Sequence, residues 1–134
     1  VAYEESLRSI TLNADSSLAV YTGPPGTPGA PNPHGGKQYH FVKVTGVHQC
    51  GIADADDVVI GVLQNKPQNA GNAATVGIRG VSKVVCDAAI TAGTNVKVSA
   101  DGQAAAAGAG PTVGVALTTT ANAGELVSVL LLQL

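Results

Sequence analysis

GVLQNKPQNAGNAATVGI, running from Gly61 to Ile78, decides the fold, because it returns without gaps as GVALTTTANAGELVSVLL, Gly114 to Leu131. The offset is 53 (114 − 61). At that spacing Gly61, Val62, Asn69, Ala70, Gly71 and Val76 fall on Gly114, Val115, Asn122, Ala123, Gly124 and Val129, while Ile60, Thr75 and Ile78 meet the similar Val113, Ser128 and Leu131. Each copy reads as a strand opening on Gly-Val, an Asn-Ala-Gly turn whose residues tolerate positive φ, and a closing aliphatic strand. One residue of slippage further upstream, Val42-Lys43-Val44-Thr45 falls on Val96-Lys97-Val98-Ser99. The sequence therefore predicts two copies of one β unit, about 42–80 and 96–133, which could close a barrel or sandwich between them.

Working outward from the repeat, Val42-Lys43-Val44 and Val96-Lys97-Val98 alternate apolar and charged residues, as half-buried strands do. Val58 to Leu63 and Leu126 to Leu132 are continuous runs suited to buried strands. A run such as Leu126 to Leu132 has to be covered inside the fold or in a subunit interface. No window carries a helical period, and Ala104 to Ala107, hemmed in by Gly102, Gly108 and Gly110, reads as a loop or short strand. Asp101-Gly102 supplies a turn.

Residues 1–22, with apolar clusters around Leu7, Ile10, Leu12 and Leu18-Ala19-Val20, read as an N-terminal arm plus one or two short strands. Residues 23–36, GPPGTPGAPNPHGG, read as an exposed loop, since proline fixes φ and removes donors while glycine loosens the chain. Gly23, Gly26 and Gly29 keep a collagen-like period, but the run is too short for a triple helix and is read as a polyproline-like spacer. The expected fold is all-β: a compact barrel or sandwich of two related units within 37–134, with an extended N-terminal arm and a Pro/Gly-rich loop.

Composition bounds the partners. At 134 residues there is room for one domain, and with 45% hydrophobic but only 3% aromatic residues its core must be built from Val, Ile, Leu and Ala. The net charge is −2 and the Lys and Arg residues are scattered from Arg8 to Lys97, which argues against nucleic acid as a partner. The longest apolar stretch is far shorter than a bilayer-spanning helix, so no membrane partner is expected. Glu4 and Glu5 sit where an export signal would need a basic start, which implies synthesis in a cytoplasm. Cys50 and Cys86 are expected to be free, buried and apolar in character.

Candidate chemistry is sparse. Asp54, Asp56 and Asp57 resemble the start of a calcium loop, but its glycine and closing glutamate are missing. His34, His40, His48 and Cys50 lack the second ligand pair of a zinc site. Serine occurs in no nucleophile elbow, and no phosphate-binding glycine loop is present. The chain is expected to be no enzyme, with no catalytic residue, no metal and no cofactor.

The run GVLQNKP, followed by AGNAATVGIRGVSKVVCDAAITAG, NVKVSADGQAAAAGAG, GVAL and AGELVSVLL, resembles the small decoration, or cement, proteins of tailed-phage and prophage heads over roughly Phe41 to Leu132. That resemblance implies an all-β protein in the virion, on the outer capsid surface, bound to the major capsid protein and often trimeric, reinforcing the shell. It supplies no catalytic residue. The Pro/Gly-rich stretch departs from it. The mixed apolar and charged N-terminus marks Val1, Ala2, Tyr3, Glu4, Glu5, Leu7 and Arg8 as candidate contacts with capsid or neighbouring subunits. A carbohydrate- or receptor-binding β module of a phage fibre or tail accessory protein is the alternative, limited by its few aromatics, Tyr3, Tyr21, Tyr39 and Phe41.

Overall fold

The computed structural model describes residues 2–3, 5–22, 36–108 and 112–132. The predicted Pro/Gly-rich loop lies outside them, apart from Gly36. Nine strands are described: β1 Glu5–Ala14, β2 Phe41–Gly46, β3 Gln49–Ile52, β4 Gly61–Leu63, β5 Ala73–Val85, β6 Asn95–Val98, β7 Ala104–Ala106, β8 Gly114–Ala116 and β9 Leu126–Leu131. A single 3-10 turn, Ala100–Gly102, joins β6 to β7. Asp101 and Gly102 have φ of 61° and 67°, the left-handed region that an Asp-Gly pair tolerates. The protein is all-β, as the alternating and β-branched runs predict.

The strands form one sheet in the order β1-β3-β2-β4-β5-β9-β8-β6-β7, with β1 also pairing β5. Because β1 touches both β3 and β5, the first five strands close on themselves. The other half does the same on a smaller contact, a parallel bridge from Cys86, just beyond β5, to Ala104 of β7. The sheet is thus rolled into two small rings that share β5. Each unit closes its own ring, where the sequence had left open one barrel closed between them.

Register shows the two rings to be built alike. Val62 pairs Gly77 and Leu63 pairs Val76 in the first ring, while Val115 pairs Leu130 and Ala116 pairs Val129 in the second, both at the offset of 53. Val42 faces Gly61 and Ile52, and Val96 faces Gly114 and Ala106. The correspondence extends to β1, whose counterpart is the second half of β5 at an offset of 72 (86 − 14). Asp15 N–H donates to Cys50 O and Asp87 N–H to Ala104 O, each at 2.9 Å. Gly71 N–H donates to Ala14 O and Gly124 N–H to Cys86 O, each at 2.8 Å. Gly71 and Gly124 have φ of 90° and 88°, so the Asn-Ala-Gly turns need their glycines.

Two predictions change on this scaffold. The segment read as an arm with short strands forms one ten-residue strand, β1, running antiparallel to β5 from Glu5↔Val81 to Asn13↔Ala73. Its partner lies some 60 to 75 residues away in sequence, out of reach of any local pattern. Val58 to Ile60, read as the start of a strand, precede β4, and Val58 is 84% exposed. Gly61 sets that boundary: an added Cβ there would lie 2.8 Å from Val76 Cγ1 and closer still to Gly77 O.

Each ring has its own core. The first holds Ala14, Leu18, Val42, Cys50, Leu63, Ala74 and Val76. The second holds the counterparts Cys86, Ile90, Val96, Ala104, Ala116, Val127 and Val129, together with Phe41, Ala53, Val62, Val84, Val98 and Leu131. Phe41 and Val62 come from the first ring, so this second cluster also seals the junction between the rings. Both cysteines are free and buried.

Candidate docking surface

Side chains able to do chemistry are spent on holding loops. Asp57 receives Lys43 Nζ at 2.7 Å and Asp54 N–H at 2.8 Å, and the lysine ammonium holds its carboxyl below the usual aspartate range. Asp54 in turn accepts Asp101 N–H at 3.0 Å, tying the loop before β4 to the turn after β6. Lys37 pairs with Asp101 at 2.6 Å. The acidic cluster is a latch between loops, and among the described residues no group of three or more His, Cys, Asp and Glu side chains converges as metal ligands would.

His40 is buried, with Nδ1 3.1 Å from Gln38 O, and desolvation lowers its pKa from 6.5. Burial, with Asp15 nearby, pushes the Cys50 thiol up to about 11, which makes it a poor nucleophile. His34 lies outside the described residues, and Cys50 faces the first core instead of sharing a site with His48.

Two concavities remain. One, of about 330 Å³, lies at the junction of the rings and is lined mainly by apolar groups, among them Phe41, Val58, Val98, Val113 and Leu131, with Lys97 at its side. The other, of about 480 Å³, gathers Ser17, Tyr21, Thr22, Lys37, Asp54 and Asp101 beside apolar groups such as Ala19 and Ile52.

The surface contrasts with this economy. Tyr3, Ile10, Val44, Val47, Val58, Leu117, Leu126, Leu130 and Leu132 are exposed, Val47 completely. On β9 the leucines at 126 and 130 face outward while Val127, Val129 and Leu131 face the core. The leucine run was expected to be covered; its inward face is, while on the other face Ser128 is buried against Tyr3 and Leu126 and Leu130 stay partly exposed.

Among the predicted contact residues, Val1 and Glu4 lie outside the described residues. Ala2 is partly buried, and Tyr3 is tied across the sheet to the buried Ser128 of β9: its N–H donates to Ser128 Oγ, which donates in turn to Tyr3 O at 2.8 Å. Glu5 and Arg8 are exposed on β1. Leu7 is half-buried, with its methyls above Gly77, and packs on the second core cluster, so its side chain belongs to the fold. Among the described members, Tyr3, Glu5 and Arg8 offer side chains to solvent. The outward leucines of β9 were not among the candidates. Their signal was the leucines at positions 126, 130 and 132, spaced to share one face of a strand.

The chain is similar to a solved structure over nearly its whole length. That structure is the N base of the head fibre gp8.5 in bacteriophage phi29, with a TM-score of 0.63 and 17% identity over 94% of each chain. No family model matches the chain, and no curated protein matches it. At that identity the likeness establishes the architecture alone: the head-fibre base and this chain share a fold over 94% of each chain.

Proposed function

We propose that this chain is a non-enzymatic structural protein of a tailed-phage head, docked on the outer surface of the shell against the major capsid protein and set there in threes, where it cements the lattice. The observation that supports the reading is the likeness, over 94% of each chain, to the base of a phage head fibre. Cementing requires many modest contacts repeated by symmetry, and avidity then replaces chemistry. A rigid, latched β body with outward apolar side chains suits that task. The exposed side chains of Tyr3, Glu5 and Arg8 supply one edge of the contact.

The test is imaging and co-sedimentation with heads of the encoding virus assembled without this protein. Added protein is expected to pellet with expanded heads and to appear as ordered density on their exterior at three-fold positions. Arg8→Glu should lower the occupancy. Failure to bind expanded heads, or density inside the shell, overturns the reading.

A second reading, a fibre module that binds carbohydrate, is favoured by the concavity beside Tyr21, where a ring stands among hydroxyls and charges, as in sites that sugars dock on. Glycan-array binding that is lost in Tyr21→Ala, without binding to heads, would select it.

A further inference from the structure

The two rings provide an internal control on the surface. Within the chain, the row Phe41, Val62 and Gly77, paired in register, faces the second ring. Phe41 and Val62 are fully buried there. The same row in the second ring is Asn95, Val115 and Leu130. No third ring covers it among the described residues: beside it Val81 and Ser128 are buried against the N-terminal segment, but Leu130 itself is 38% exposed.

The neighbouring outward positions differ in kind. Where the first ring has Gln64, Ala73 and Gly77, the second has Leu117, Leu126 and Leu130 at the offset of 53. Where β1 has Ser9, Thr11 and Asn13, the second half of β5 has Val81, which is buried, and the half-buried Lys83 and Val85. Since the first ring folds with polar and small residues at these places, ring formation does not require leucine and valine there. Exposed leucine on a sheet face needs another reason, and contact is the usual one.

The opposite side of the junction gives the complement. The second ring meets the first through Val98, which is 5% exposed and belongs to the same cluster as Phe41. Its counterpart in the first ring, Val44, pairs Cys50 as Val98 pairs Ala104, yet is 58% exposed. Beside it, at the tip of the hairpin between β2 and β3, stands the fully exposed Val47.

We infer that this chain associates with copies of itself head to tail: the outward leucine face of the second ring seats on the Val44–Val47 side of the first ring of the next copy. The partner is chosen by continuity, because the contact repeats between chains the ring-on-ring docking already present within one. Such a contact is heterologous, so it closes into a ring of copies or runs on as a filament. The inference deepens the proposed threefold setting on the head but is measured in solution without capsids, so either can fail alone.

Sedimentation of the purified chain over a range of concentration is expected to show species heavier than its 13.2 kDa. Leu130→Glu and Val47→Glu should each weaken association at least about tenfold, because a charge would be buried in an apolar contact. Leu117→Glu is the second variant on the leucine face, and circular dichroism reports whether each stays folded. Mixing Leu130→Glu with Val47→Glu leaves one intact pair of faces and should give a one-to-one dimer and nothing larger. A wild-type chain that stays monomeric, a Val47→Glu variant that assembles normally, or a mixture that forms no dimer overturns the inference.

Discussion

The two rings fill the same core with different residues. Leu63 and Ala74 in the first are Ala116 and Val127 in the second, and the adjoining pair Ala14 and Cys50 is answered by Cys86 and Ala104, so that cysteine and alanine have changed places across one backbone contact. What is kept is register, the turn glycines and the approximate volume of each layer; what is free is which strand supplies the larger side chain. Cores of aliphatic residues tolerate that exchange when total volume is held. The lesson accords with an architecture shared at 17% identity.

Breaking the comparison hardest means attacking the junction, a place where the rings are not equivalent. Phe41→Ala removes a fully buried ring at the junction and should cost about 3–5 kcal/mol in urea unfolding, the usual loss for a buried phenylalanine. Asn95→Ala, at the same register in the second ring but exposed, should stay within about 0.5 kcal/mol. Equal costs would mean that the junction is not sealed by Phe41.

Next in size, Gly61→Ala and Gly114→Ala should cost similar amounts, about 1–3 kcal/mol each, because both place a methyl into an already filled strand contact. At Gly114 the new carbon would stand 2.6 Å from Val129 Cγ1, as at Gly61 it would stand 2.8 Å from Val76 Cγ1. A marked inequality in thermal unfolding would count against the matched register.

A smaller effect sharpens the point about volume. The double change Ala14→Cys with Cys50→Ala gives the first ring the arrangement of the second, and should cost less than about 1.5 kcal/mol, below the sum of the two single changes. Additive losses in a double-mutant cycle would show that each position has its own fixed requirement.

The least effect is one of pH. His40 is buried and its pKa is lowered mainly by desolvation, whereas its counterpart Thr94 does not titrate. The unfolded chain therefore takes up a proton at a higher pH than the folded one. Stability from this residue is complete above about 6.5 and falls as pH drops below that value toward the lowered folded pKa. Urea midpoints should decline from pH 7.5 to 5.5, and His40→Asn should flatten that part of the decline.

Much of this was legible in the sequence. The gapless match of Gly61 to Ile78 with Gly114 to Leu131 gave β4 with β8 and the first half of β5 with β9, down to the pairing register. What stayed hidden was the first strand of each unit. Its two versions, Leu12 to Ala14 and Val84 to Cys86, share little beyond size, and the second is fused into β5 without a turn, so that only Gly80, with a φ of 110° in mid-strand, marks where one unit passes to the next. Val58 to Ile60 misled because a β-branched run signals burial, while Val58 is exposed beside the latch of Asp54, Asp57 and Lys43 and only Val59 and Ile60 pack against the cores. On the surface, charge drew the sequence reading to the N-terminus and away from the leucines of β9, since outward leucines cannot be separated from inward ones until the register is known.

Because β5 closes the first ring with its leading half and opens the second with its trailing half, neither ring owns a complete wall. Separating them would tear a continuous backbone ladder instead of flexing a tether. A load applied to one end of the molecule therefore passes through a strand gripped on both flanks, and the body answers as a single rivet where two linked beads would give way in turn.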